Sequence, residues 1–376
     1  MRFSLWTVLA SVSLALIVVA SGCGQPPTRS NVVSALTTSP RETTLKFAVP
    51  KNGRARPLVV VLADNDGTET TDFVIPYGVL KGSGAADVMT VSTGPGTVTL
   101  IPALRIRADM TLAQFDAATP VGADIVIVPA MKRNDDPVVL NWVRAQFEKG
   151  AMVVSICEGA RVIANAGLLE GKSATTHWFA LEPMAKKFPG TTWVRDSRWV
   201  VDGNVMTTTG VSASIPASLA LIESIAGRRV AESAAERLGL DTWAIEHDTS
   251  AFGWTFRHVA VGATNWLAWW RHETVEIPVE EGFNEISTAL SADSWSRTFR
   301  SQALATNAAR LVRSRHGLLV ETEVASNGDS FVLPKPTDNL TITLVDTLEG
   351  VADRYGEGTA DLVALGLEHR RRGSRR

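Results

Sequence analysis

Cysteine is nearly absent from this chain. Two residues of 376, Cys23 and Cys157, permit at most one bridge, which excludes a small domain stapled by disulfides. An excess of charge of one sign is also lacking. Lys and Arg number 37 against 39 Asp and Glu, so no global field exists to hold a nucleic-acid backbone. Hydrophobic residues make up an ordinary 45%, which excludes a polytopic membrane protein. No zinc-ligand spacing, Walker-type loop or dinucleotide fingerprint occurs, so no metal and no cofactor is expected. No helix-turn-helix pattern follows Leu240, and nucleic acid is not an expected partner. What is present is enough apolar sequence for two packed units, with chemistry confined to a local site.

The one long apolar run lies at the start. Arg2 precedes Leu5 to Ala20, and the small residues Ala20-Ser21-Gly22 lead into Cys23. A positive n-region, a short apolar core and a small-residue cleavage site describe a secretory signal, and a cysteine directly after them is what a bacterial lipobox contains. Ala20 departs from the leucine commonest there. The expectation is a lipid on Cys23, residues 1–23 as signal and lipobox, and a membrane-anchored protein outside the cytoplasm. Residues 24–56, with Pro26, Pro27, Pro40 and Pro50 among Ser and Thr, suit a solvated tether. Cys157 is then left without an intramolecular partner, and no disulfide is expected.

From 57 to 240 the pattern alternates. Leu58–Ala63, Val88–Val91, Asp124–Pro129 and Met152–Ile156 read as buried strands rich in β-branched residues. Helical patterns fall at about Asp72–Lys81, Thr111–Ala117, Pro137–Glu148, Glu158–Ala166 and Ser214–Leu238. This order predicts an α/β fold, a mostly parallel sheet with helices on both faces. Ligands of such sheets bind beyond the carboxyl ends of the strands. At one such end stands Cys157, in Val154-Ser155-Ile156-Cys157-Glu158-Gly159-Ala160, where a strand runs straight into a helix. A nucleophile elbow needs small neighbours in this place. A helix N-terminus would favour the thiolate, and the Glu158 and Gly159 amides would hold an oxyanion. The plainer reading is a buried thiol acting as a small hydrophobe.

The run from Ser155 to Trp178, including Asn165-Ala166-Gly167-Leu168-Leu169 and Thr175-Thr176-His177, resembles the core motif of the ThiJ/PfpI superfamily, the class I glutamine amidotransferase-like fold. Val205-Met206-Thr207-Thr208-Thr209-Gly210-Val211-Ser212 before a long helix resembles the branch containing isonitrile hydratases and the sensor domains of AraC-type regulators. The resemblance implies a flavodoxin-like sheet with Cys157 at the elbow. It also implies that Asp72, in Thr71-Asp72-Phe73, lies beside the sulfur, where its carboxyl can hydrogen-bond it; Asp72 could equally cap a helix. His177 matches a histidine found near the elbow in many members, and its alternative is a structural role. Relatives often carry Thr after the cysteine, whereas this chain has Glu158, whose charge either opposes the thiolate or serves as an acid/base group. Members act as isonitrile hydratases, glyoxalases or deglycases, and amidases or peptidases. The implied function is cysteine-dependent chemistry on a small electrophile; a binding or sensing module and a thiol redox sensor are the alternatives.

Residues 241–376 carry no such motif. Leu348–Asp361 faintly repeats Ile222–Ala235, Val275–Ile286 resembles the opening strand and loop of the first unit, and Arg315–Val320 reads as a later strand. The expectation is a degenerate second copy packed on the first as the family's dimers pack, an intrachain pseudo-dimer, with a homo-oligomer as the alternative. An all-helical C-terminal half would contradict it. Trp266-Leu267-Ala268-Trp269-Trp270 is expected to pack against the first unit, the alternative being a ligand or membrane-interface patch. The basic tail Arg370–Arg376 reads as a solvated end.

Overall fold

The computed structural model describes residues 45, 49–326 and 330–371. The signal, Cys23, most of the tether and the end of the basic tail lie outside the described residues. None of the described helices is long and apolar enough to cross a membrane.

Seven strands form the central sheet in the order Trp199–Asp202, Val205–Thr208, Met152–Ser155, Ile125–Val128, Leu58–Ala63, Asp87–Ser92, Met110–Thr111. All neighbours pair in parallel except the first two, which form a hairpin. The β-branched runs are buried on both sides, as a sheet covered on two faces requires. Because side chains alternate, Val59, Val61 and Ala63 enter one core while Val60 and Leu62 enter the other. Helices Leu112–Ala118, Pro137–Glu148, Gly159–Asn165 and Trp178–Lys187 feed the second core. Thr70–Ser83 and Val211–Ala226 cover the first, which continues without a break into the C-terminal half.

The expected long helix Ser214–Leu238 is two helices, Val211–Ala226 and Arg228–Leu238, broken at Gly227 with φ 86°. A left-handed φ is open to glycine at little cost, so the break sits there.

The C-terminal half is not all-helical. Strand Glu273–Pro278 leads through helix Glu285–Ser296 to strand Ser301–Thr306, parallel to it, and Phe331–Val332 pairs on its other side. A hairpin of Leu311–Arg313 and Leu319–Glu321 then joins strands Arg105–Arg107 and Thr97–Ile101 of the first half, so one sheet contains both halves. Helices Leu340–Tyr355 and Glu357–Gly366 end the fold. Their break is Gly356, φ 89°, a glycine with positive φ like Gly227.

The halves meet where helix Thr70–Ser83 crosses helix Glu285–Ser296. Gly78 allows the approach: a Cβ there would lie 2.6 Å from Ile286 Cγ1 and 2.8 Å from Glu285 Oε1. Tyr77 donates its hydroxyl to the His316 carbonyl at 2.9 Å across the same seam.

The tryptophan cluster does not pack as expected. Trp269 and Trp270 are 73% and 68% exposed and touch each other edge to face. Helix Phe256–Leu267 turns Val261, Gly262 and Asn265 toward helix Glu357–Gly366 and ends before the pair, which projects from the following turn.

Candidate active site

Cys157 stands just after strand Met152–Ser155 with φ 54°, a conformation that costs a side-chain-bearing residue about 1–2 kcal/mol. Two threonines hold it. The Cys157 amide donates to Thr208 Oγ1 at 3.3 Å, and Thr176 Oγ1 donates to the Cys157 carbonyl at 2.9 Å. Gly159 opens the following helix because a Cβ there would fall 2.1 Å from the Val128 carbonyl oxygen. A strained, overdetermined residue at a strand's carboxyl end is the geometry of an elbow. Cys157 is free and buried, 8% exposed.

Asp72 is fully buried in the first turn of helix Thr70–Ser83, which starts two residues earlier than its sequence suggests. It does not cap that helix. Glu69 does, accepting from the Asp72 amide at 2.5 Å and from Thr71 Oγ1 at 3.0 Å. Asp72 Oδ2 accepts from the Ala130 amide at 3.2 Å, while Oδ1 is buried without a partner. The expected hydrogen bond to sulfur is not formed; the Asp72 carboxyl acts on Cys157 through its charge.

The expected thiolate is not the resting form. Burial pushes the Cys157 thiol well up, and the nearby carboxylates of Asp72, Glu158, Glu69 and Glu368 push it further. These charges outweigh one short helix terminus. Nor does Gly159 offer an oxyanion donor, since its amide is committed to the Ile156 carbonyl at 2.8 Å. Glu158 turns outward, its Oε2 2.5 Å from Arg161 Nε, and remains near enough to act on the sulfur by charge alone.

His177 caps helix Trp178–Lys187, its Nδ1 accepting from the Phe179 amide at 3.4 Å. That bond places the proton of the neutral ring on Nε2, which is buried without a partner. Its neighbour Thr176, rather than His177, bonds the elbow.

Helix Glu285–Ser296 brings groups that the sequence reading missed. Arg297, just past its end, lies with Nε 2.5 Å from Asp293 Oδ2 and also pairs with Glu69. Burial raises Glu69, Asp72 and Asp293 each to about 7, with the charge of Asp72 adding at Glu69. Three carboxyls, those of Asp72 and Asp293 fully buried and that of Glu69 mostly so, therefore cluster with one partly exposed guanidinium near the thiol. The carboxyls are poised to exchange protons near neutral pH.

The model of the DJ-1/PfpI family matches residues 58–224. Over 162 residues the chain is 33% identical to the isonitrile hydratase of Pseudomonas putida, a match spanning 42% of this chain and 67% of that one. Over 157 residues it is 31% identical to a deglycase of Pyrococcus horikoshii, spanning 40% and 86%. The chain belongs to the DJ-1/PfpI family. A third match, to the HTH-type transcriptional regulator CdhR of Pseudomonas aeruginosa, is 33% identical over 104 residues, 28% of this chain and 31% of the regulator.

For a DJ-1/PfpI elbow, a signal for the missed groups did exist. Glu69 and Asp72 are one helical turn apart. Asp293 and Arg297 sit four apart on a helix buried along Glu285–Trp295, and an acid and a base at that spacing among buried neighbours mark an internal ion pair. Glu368, near the chain's end, had no local signal.

Proposed function

We propose that this protein is a cysteine-dependent enzyme that adds water to a small, uncharged electrophile, an isonitrile or an α-oxoaldehyde. The observation that carries this reading is the buried Cys157 thiol at a left-handed elbow with the fully buried Asp72 carboxyl acting on it by charge. Acidic, dehydrated surroundings disfavour anionic substrates and suit a neutral thiol that loses its proton only as it reacts. As sulfur bonds the electrophilic carbon, the thiol proton passes to the Asp72 carboxylate and is returned to the substrate atom gaining electron density. With an isonitrile this gives a thioimidate, to whose carbon water adds. With an α-oxoaldehyde it gives a hemithioacetal whose C–H proton first moves to the neighbouring carbonyl carbon, leaving a thioester to whose carbon water adds. In both, the C–S bond then breaks and sulfur recovers a proton. The sum is one water added, with no oxidant or reductant. Similarity to a hydratase and a deglycase supports this class. Similarity to CdhR supports a second reading, a binding or sensing pocket without turnover. Turnover of isonitriles or α-oxoaldehydes that disappears in Cys157→Ala supports the enzyme; tight binding without turnover supports the sensor.

The C-terminal half is, in this proposal, a decayed second copy that acts as the site's other wall. Each half has a six-residue strand, then a helix opening seven residues after it, at Thr70 and at Glu285, then a parallel strand and a hairpin. On this spacing Asp293 and Arg297 fall opposite Gly78 and Gly82, while Asp72 falls opposite Ser287. One half has kept the thiol and its acid, the other the buried ion pair that faces them. The protein is further proposed to be anchored outside the cytoplasm through lipid on Cys23, a reading supported by its sequence. Incorporation of labelled fatty acid, lost in Cys23→Ala, tests it.

A further inference from the structure

Glu368 follows helix Glu357–Gly366 and adopts φ 56°, a strained conformation for a residue with a side chain. Its carboxylate is fully buried, and both oxygens are used. Oε1 lies 2.8 Å from His247 Nε2, and Oε2 accepts from the Gly210 amide. His247 is itself buried and stacked on Phe252, with rings 11° from parallel.

This pair meets the site at Gly210. A Cβ on Gly210 would lie 2.4 Å from Glu368 Oε2 and 2.6 Å from His177 Cδ2, so the carboxylate and the imidazole converge on a position open only to glycine. Two further bonds tie the same segment to both sides of the elbow. The Ser212 amide donates to the Leu367 carbonyl, and Trp178 Nε1 donates to the Leu365 carbonyl, each at 3.2 Å. Thr208, which receives the Cys157 amide, is two residues from Gly210.

We propose that Glu368, clamped by His247, is a positioning residue for the Cys157 site: it fixes Thr208–Gly210 and His177 from the C-terminal half and sets its carboxylate on that wall. The titratable and charged groups around it are the imidazoles of His247 and His177 and the guanidinium of Arg198, which reaches the Ser212 and Glu246 carbonyls. The inference rests on Cys157 being the working group, not on turnover, so its test reads the thiol directly.

Iodoacetamide alkylation rates of Cys157 are measured against pH in the full chain, alongside thermal melts. Glu368→Gln keeps an acceptor for the Gly210 amide and removes the charge; its apparent thiol pKa should fall by at least half a unit. Glu368→Ala also frees the segment and should raise the alkylation rate at a fixed thiolate fraction at least threefold. His247→Phe, which keeps the stack on Phe252, should show a smaller rate increase, and the exposed Glu349→Gln should change nothing. Wild-type pH profiles and rates in folded Glu368→Gln and His247→Phe would overturn the proposal. Loss of the fold in every Glu368 and His247 variant would do so too, leaving a purely structural role.

Discussion

At the scale of single residues, Cys157 sets stability against chemistry. Its φ of 54° is one glycine adopts freely. Cys157→Gly should therefore be more stable than Cys157→Ala by about 1 kcal/mol, although both lack the thiol. Urea unfolding of the two variants checks this, and equal midpoints would show that the elbow carries no strain. The carboxyls give the second residue-scale expectation. Glu69, Asp72 and Asp293 have folded pKa values of about 7, above the unfolded carboxyl range near ~4. A carboxyl with a raised folded pKa binds its proton more tightly in the native state. Its contribution to stability is complete below the unfolded value and is lost as pH rises through about 7. The urea midpoint should thus fall between pH 5 and pH 8, with a shallower fall in Asp293→Asn. A midpoint that rises over that window would refute the assignment. The same burial weakens the redox-sensor reading, since oxidation favours exposed thiolates.

At the scale of elements, Gly78 decides how close two helices come. Alanine is the better helix former by about 1 kcal/mol, yet its methyl would collide with Ile286 and Glu285. Gly78→Ala should destabilise by about 1–3 kcal/mol, as overpacking does, and should reduce turnover by displacing Arg297 from Glu69. A neutral or stabilising effect in urea would mean that the helices can slide apart freely. Strands such as Leu58–Ala63 and Ile125–Val128 were legible in the sequence because burial on both faces writes a continuous apolar run. Hairpin Thr97–Ile101 and Arg105–Arg107 was not, because its strands are short and alternate with polar residues whose partners, Glu321 and Glu323, lie more than two hundred residues away. The strand-to-helix turn at Cys157 was legible in its local motif, and Asp72 and His177 were named through the family resemblance; Asp293, Arg297 and Glu368 come near Cys157 by tertiary packing, which the sequence around Cys157 does not encode. The exposed tryptophans followed from the same cause, since composition reports that Trp269 and Trp270 are apolar but not which face their turn presents.

At the scale of the whole molecule, the two halves share a sheet, a core and a charge cluster, and should therefore unfold together. Arg297 is the clearest probe of that coupling, because its partner Glu69 belongs to the first half and Asp293 to the second. Removing the one cation from three buried carboxyls leaves uncompensated charge, a change that costs about 3–5 kcal/mol when the site is dry. Arg297→Gln should lower stability most above pH 7, where the carboxyls would have to ionise, and least near pH 5, where they hold their protons. Urea titrations followed by tryptophan fluorescence and by far-ultraviolet circular dichroism at both pH values provide the check. Wild-type protein should show one transition by both probes. Two separated transitions, or an Arg297→Gln penalty independent of pH, would mean that the halves are stable units merely in contact.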